Sequence, residues 1–339
     1  RTPINAVLGL DEMILREADD DVILGYARDI QSSGKMLLSI INDILDFSKI
    51  EAGKMEIIPV DYDLSLLVAD LVNMISSRAE EKGLSFNVNV APDCPHLLHG
   101  DDTRLKQCML NILTNAVKYT RAGSVTLEVS ATQRDDSRAL LFVSVADTGI
   151  GIKAEDIEKL YSPFERIEER RNKGIEGTGL GMSIVQRLLK AMGGQLSVQS
   201  EYGAGSVFSF SVEQEVRSWE RIGDWKATKE KCAANASGYA ESFQAPEAKI
   251  LVVDDTPLNL TVVRGLLKST RIQIDTAGSA AEALELAHDA DYQLIFADHL
   301  MPKMNGIEML HALRADSGSK NQHTVVIRKR FCQVKHLKI

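Results

Sequence analysis

Across residues 21–53 the apolar side chains Ile23, Ile30, Leu37, Ile41, Ile44 and Leu45 recur at three- and four-residue steps or their sum. That is the period of one face of a long amphipathic helix. A helical stretch over residues 4–17 precedes it and can lie against it. Two such helices cannot bury both stripes against each other alone. The economical arrangement is a four-helix bundle built from two chains, so a homodimer is expected.

After Met55 the periodicity changes. Leu64, Leu67, Val68, Leu71, Met74 and Ile75 form a new helical stripe, Gly83 ends it, and Phe86, Val88 and Val90 alternate as a strand. Residues 102–119 read as a helix, Val125, Leu127 and Val129 as a strand, and residues 140–146 as a buried strand ending at Asp147. A helix over residues 183–192 and strands from Gln195 and Ser206 complete a mixed sheet with helices on one face. Residues 216–247 lose periodicity and read as a linker on which Trp219 and Trp225 can dock. From Lys249 a short apolar run (250–253) enters two acids, a helical stripe follows, and residues 294–297 enter Asp298. This alternation predicts a parallel, doubly wound sheet.

With 339 residues the chain can hold two or three such domains, each with its own core. A net charge of −9 argues against nucleic acid, which calls for a basic face. Cys94, Cys108, Cys232 and Cys332 form no CxxC pair, so neither a zinc cluster nor a disulfide framework is expected, and a reducing cytoplasm fits. No apolar run approaches the roughly 18 residues of a membrane span. The chain opens at Arg1 inside a helix, from which a preceding segment, able to carry a membrane anchor, is expected.

Three short segments carry chemistry. Asn111, Asn115 and Lys118 share one helical face, where a polar solvent edge is the alternative to a ligand site. Asp147, Gly149, Gly151 and Ile152 follow the end of a buried strand. Gly177, Thr178, Gly179, Leu180, Gly181 and Met182 lead into a helix. Glycines let the backbone approach phosphates, and a helix N-terminus attracts their charge. Neither a dinucleotide fingerprint nor a GxxxxGK[ST] loop is present.

In this order the three segments resemble the ATP-binding domain of histidine kinases in the GHKL superfamily, over roughly residues 60–213. The resemblance implies that Asn115 presents an amide oxygen to Mg²⁺ and that Asn111, Lys118 and Tyr119 line the phosphates of ATP. It implies that Asp147 accepts from the adenine amino group and repels a guanine carbonyl, with Ser206 near the base. Residues 164–172 stand where the family has its lid. Arg170, Arg171 and Lys173 would neutralise phosphate there, or else form a solvated charge run. Relatives that hydrolyse ATP carry a glutamate where this chain has Asn111. An amide cannot take a proton from water. Transfer to another group is therefore favoured over hydrolysis, with Asn111 and Lys118 as catalytic residues that position and stabilise the phosphoryl group.

Arg1, Thr2 and Pro3 resemble the end of the family's H box, in which the phosphorylated histidine precedes this arginine by three positions. By that resemblance the chain alone should not phosphorylate itself. His96, His99 and His299 read as surface or locally hydrogen-bonded residues. The last domain resembles a response-regulator receiver, with Asp254, Asp255 and Asp298 as Mg²⁺ ligands and Asp298 as the phospho-acceptor. After Asn321 the resemblance stops: the family expects strands ending in Thr or Ser and then in Lys. Lys329 and Lys335 lack that context, and the receiver reads as incomplete.

The expected fold is multi-domain. Residues 1–54 form a helical hairpin that dimerises as a four-helix bundle, and residues 55–215 an α/β sandwich of the GHKL ATP-binding type. Residues 216–247 form a linker, and residues 248–339 an incomplete flavodoxin-like, doubly wound α/β receiver. The expected function is that of a hybrid sensor histidine kinase: ATP and Mg²⁺ bound, the γ-phosphoryl group passed to a histidine, then to a receiver aspartate of this chain or of a downstream receiver or phosphotransfer protein. An inert dimerisation fragment and a gyrase-like conformational ATPase are the alternatives, the latter disfavoured by Asn111.

Overall fold

Helices α1 (Thr2–Glu17) and α2 (Asp21–Glu51) open the chain. Asp20 caps α2 by accepting from the backbone N–H groups of Val22 and Ile23 at 2.7 and 3.2 Å, satisfying donors that a helix start leaves unpaired. Gly34 lets the two helices approach, because the Leu8 side chain stands 2.7 Å from where its Cβ would be. The computed structural model describes residues 2–165, 178–223, 225 and 243–329. The chain divides into two compact units, residues 1–41 with 239–339, and residues 42–238.

In the second unit seven strands form one mixed sheet: β1 (Val60–Asp63), β2 (Ser85–Val90), β3 (Pro95–Gly100), β4 (Ser124–Gln133), β5 (Arg138–Asp147), β6 (Gln195–Glu201) and β7 (Gly205–Arg221). Their order is β1-β3-β7-β5-β4-β2, with β6 paired to β7. The β2–β4 pair is parallel and the others are antiparallel. Helices α3 (Leu64–Glu81), α4 (Asp102–Tyr119) and α5 (Gly181–Ala191) cover one face. Leu71, Ile75, Met109, Ile112, Ile184 and Leu188 pack there on Leu127, Leu141, Val143 and Phe210, as the alternation of the strands requires. Asp63 and Asp101 cap α3 and α4. The sequence reading missed β1 and β3 and began the linker at residue 216. Instead β7 runs to Arg221, because its far end gains a partner in β3, with Leu97 opposite Ser218 and Pro95 opposite Arg221. Trp219 docks by donating to the Asp136 carbonyl at 2.9 Å, and Trp225 is buried.

The first unit holds a four-stranded parallel sheet: β8 (Lys249–Val253), β9 (Gln273–Ala277), β10 (Leu294–Asp298) and β11 (Val325–Lys329), in the order β11-β10-β8-β9. Helices α6 (Pro257–Leu266), α7 (Ala280–Asp289) and α8 (Gly306–Ala315) cover it on both sides. Successive residues of β8 serve opposite faces. Leu251 and Val253 pack with Ala283, Met309 and Leu313, while Ile250 and Val252 pack with Val263 and Leu267. This is the doubly wound arrangement expected. The single helical stripe read between residues 254 and 294 is in fact α6, β9 and α7. Beside the sheet, α1 meets α6: Gly9 faces Val262 and Gly265 faces Met13, and just past α6 Lys268 pairs with Glu17 at 2.6 Å.

Candidate functional site

In α4, Leu105, Cys108, Met109, Ile112, Leu113 and Ala116 point into the core, which leaves Asn111, Asn115, Lys118 and Tyr119 on a half-buried flank. The Lys118 ammonium lies 5.0 Å from the Tyr119 ring centre. At the end of the helix the Tyr119 carbonyl accepts from the Ile150 N–H at 3.3 Å, joining α4 to the turn after β5. Gly149 is required there, since a Cβ would lie 2.7 Å from that carbonyl oxygen and from Asp147 Oδ1. Gly151, at φ +66°, faces the Glu201 carbonyl with still less room, since a Cβ would overlap its oxygen.

Asp147 ends β5 directly opposite Ser206 on β7. Its Oδ1 accepts from the Gly149 N–H at 2.8 Å. Burial holds its carboxyl above the usual range, against the opposing effect of the Gly149 and Ser206 backbone N–H groups. Ser200, which the sequence reading did not single out, ties the region together: its hydroxyl accepts from the Ile152 N–H at 2.7 Å and meets the Ser206 hydroxyl at 2.9 Å. No local signal on β6 marks it, because its partners lie far away in sequence.

The glycine loop before α5 closes the arrangement. The Leu180 N–H donates to the Thr178 hydroxyl at 3.2 Å, and Gly179 at φ +70° accepts from the Phe164 N–H at 3.2 Å. The Asn111 amide carbon lies 3.9 Å from where a Gly181 Cβ would begin. Leu180 and Met182 are buried beneath. Asn111, Tyr119, Asp147, Gly149, Gly151, Ile152, Ser206 and residues 178–182 thus belong to one connected neighbourhood at the ends of α4, β5 and β7 and the start of α5. Asn115 and Lys118 share the α4 flank. Asn111 Nδ2 is buried with no partner among the described residues. An unspent amide donor beside a glycine loop and a helix N-terminus fits a phosphate-bearing ligand. Arg170, Arg171, Lys173 and Gly177, with most of the expected lid, lie outside the described residues.

In the first unit Asp254, Asp255 and Asp298 bring carboxylate oxygens within 4.8 Å of one another at the strand ends. Asp254 is fully buried, and Asn259 Nδ2 donates to both its oxygens at 3.0 Å. Burial, with the charges of Asp298 and Asp255, raises its carboxyl, and the Thr256 N–H and Asn259 oppose this. The His299 N–H donates to Asp298 at 2.6 Å, and Gly306 packs on the Asp298 carbonyl where a Cβ would overlap it. Three hard oxygen donors at this spacing suit a divalent cation. In backbone register Asp298 stands opposite Lys329 of β11; Lys335 lies outside the described residues. Among the histidines, His96 pairs with Asp63 at 3.0 Å and His99 with Asp61 at 2.6 Å. Cys94 and Cys108 are buried free thiols, the latter pushed up to about 12 by burial; Cys232 and Cys332 lie outside the described residues.

The fold and the first neighbourhood define an ATP-binding domain of the histidine-kinase class, followed by a receiver. Three family models match in order: the His Kinase A (phospho-acceptor) domain over residues 1–53, the histidine kinase-, DNA gyrase B- and HSP90-like ATPase over 100–216, and the response regulator receiver domain over 250–328. The chain belongs to the hybrid sensor histidine kinases. It is 41% identical over 212 residues to hybrid signal transduction histidine kinase B of Dictyostelium discoideum, covering 62% of this chain and 11% of that protein. Over 317 residues it is 33% identical to the autoinducer 2 sensor kinase/phosphatase LuxQ of Vibrio vulnificus, covering 93% and 36%. The aerobic respiration control sensor protein ArcB of Escherichia coli is 32% identical over 314 residues, covering 92% and 38%. The chain thus spans well under half the length of these relatives. Among solved structures, full-length ShkA in complex with AMPPNP shares the fold, with TM-score 0.53 and 24% identity over 97% of this chain and 90% of that one.

Proposed function

We propose that this chain is the catalytic and receiver portion of a protein-histidine kinase that takes Mg-ATP and passes its γ-phosphoryl group to the H-box histidine, then to Asp298. The observation that carries this reading is the convergence of Asn111, Asp147 and the 178–182 loop around the far end of α4. Bound with Mg²⁺, ATP supplies the transferable phosphoryl group. Asp147 accepts from the adenine amino group, Asn111, Lys118 and Tyr119 line the phosphates, and Asn115 offers its amide oxygen to the metal. Asn111 stands where relatives that hydrolyse ATP carry a glutamate, and an amide there cannot take a proton from water, which favours transfer over hydrolysis. Asp254, Asp255 and Asp298 hold a second Mg²⁺ beside the acceptor carboxylate.

The phospho-acceptor domain implies dimerisation. Ile23, Tyr26, Ile30, Leu37 and Ile44 form an exposed apolar stripe on α2, which a second copy would cover as a homodimer. A downstream receiver or phosphotransfer protein is the further partner. Among the described residues no helix is long and apolar enough to cross a membrane, and we place this portion in the cytoplasm. The decisive experiment is Mg-dependent binding of ATP and GTP to the chain and to Asp147→Asn. Selective ATP binding that the variant loses supports the reading. Equal binding of both nucleotides, or of neither by folded protein, sinks it.

A further inference from the structure

The last turns of α2 make a set of contacts that the proposed reaction does not use. The Thr178 hydroxyl, which accepts from the Leu180 N–H inside the glycine loop, donates to Asp43 Oδ2 at 3.2 Å. One turn on, Asp46 Oδ2 accepts from Gln107 Nε2 at 2.9 Å and from Arg104 at 3.3 Å, both on the asparagine helix α4. The Phe47 ring meets Phe164 edge-on, with centroids 5.8 Å apart and planes at 69°. Arg187 of α5 lies over the same Phe47 ring, its guanidinium 5.0 Å from the centroid, and pairs with Glu51. Residues 43–51 therefore touch α4, α5 and both flanks of the 166–177 stretch, Phe164 on one side and Thr178 on the other.

We propose that this end of α2 is an inhibitory clamp on the nucleotide loop, competing with ATP phosphate for the Thr178 hydroxyl. This rests on the ATP-site reading above. A hydroxyl has one proton to donate, and here it goes to a carboxylate. Asp46 is offset by Arg104, whereas no basic side chain pairs with Asp43 among the described residues, and burial raises its carboxyl. A carboxylate at that hydroxyl also repels the phosphates the loop would cradle. The clamped arrangement leaves the Asn111 Nδ2 donor buried without a partner among the described residues. A state with an unspent donor is one that a ligand offering phosphate oxygens can displace. Phe164, at φ +65° and otherwise exposed, has its ring against Phe47. Because coupling between sites is reciprocal, nucleotide would loosen residues 43–51 as much as their docking weakens nucleotide.

The test is titration of the whole chain, Asp43→Ala, Asp43→Asn and Phe47→Ala with Mg²⁺ and a non-hydrolysable ATP analogue, with thermal unfolding confirming that each is folded. Asp43→Ala and Phe47→Ala are expected to bind about five- to tenfold more tightly, the lower end of ordinary coupling. Asp43→Asn, which keeps an acceptor for Thr178 but no charge, should fall between. In the unaltered chain, nucleotide should speed backbone hydrogen exchange over residues 43–51. If the unaltered chain binds and the alanine variants bind equally or more weakly, the clamp is overturned and the ATP site stands. If the unaltered chain binds no nucleotide, both fall. Should Asp43→Ala not fold, unchanged exchange over residues 43–51 on adding nucleotide overturns the clamp by itself.

Discussion

Asn111 and Gly181 face each other across the start of α5: the amide carbon of one lies 3.9 Å from where the side chain of the other would begin, and the amide Nδ2 is buried without a partner among the described residues. A buried donor left unpaired costs about 1–3 kcal/mol. Asn111→Leu should therefore leave thermal stability unchanged or raise it by about 1 kcal/mol. The same change should weaken Mg-ATP binding about tenfold or more, as expected for a lost hydrogen bond to a charged group. A calorimetric melt and a nucleotide titration on the same sample separate the two effects. Lower stability with unchanged affinity would make the amide structural.

Glycines in this domain divide into two kinds. Gly151 and Gly205 have φ of +66° and +118°, and a Cβ on either would overlap a backbone carbonyl, that of Glu201 or that of Asp147. Gly193 and Gly203, at +74° and +90°, have nothing within 4 Å of that position. Alanine at the second pair should cost only the backbone penalty, about 1–2 kcal/mol. At the first pair it should cost about 3 kcal/mol or more, because main chain cannot move aside. Urea midpoints for the four variants check the order, and equal losses would show that the Glu201 and Asp147 strands yield.

What was legible in the sequence follows from where each element finds its partners. Helix α4 was read to within its ends because its cap, Asp101, and its apolar stripe are local. Strands β1 and β3 were missed because Asp61, Asp63, His96 and His99 occupy them and pair across the sheet edge, where polar side chains cost little. Strand β9 at the other sheet's edge reads as polar for the same reason, and α7 buries only alanines on its inner face. The glycines and acids of the site announce themselves in short motifs. Ser200, Phe164 and Asp43 do not, since each acts on residues far away in the chain.

Asp147 gives opposite pH slopes for stability and binding. Burial raises its carboxyl, so the folded state holds a proton more tightly than the unfolded chain. This contribution favours folding below the ordinary carboxylate value and is lost as pH rises through the raised one. Accepting from adenine needs the ionised form. As pH falls through the raised value, ATP affinity should drop while the stability of the ligand-free chain gains. Asp147→Asn should flatten the stability slope and lose the pH-dependent binding altogether. ATP titrations and melts at half-unit steps upward from about pH 3, below the ordinary carboxylate value, follow the proton from bound to released, and affinity constant through neutral pH would remove Asp147 from the adenine contact.

Asp254 leads to the last prediction. Its carboxyl is fully buried, and the charges of Asp255 and Asp298 add to burial in raising it. Three carboxylates within 4.8 Å repel one another until a cation joins them. Mg²⁺ should therefore stabilise the residue 249–329 region in the intact chain, by about 1.4 kcal/mol at ten times its Kd if it binds only the folded state. Asp254→Asn removes one of the repelling charges, so without metal the variant should be as stable as the parent or more so. It should also lose most of the Mg²⁺ response. Melts with and without Mg²⁺, followed by hydrogen exchange in β8 and β10, read this region separately from the ATP-binding domain. An equal Mg²⁺ response in parent and variant would mean that the cation acts elsewhere in the chain.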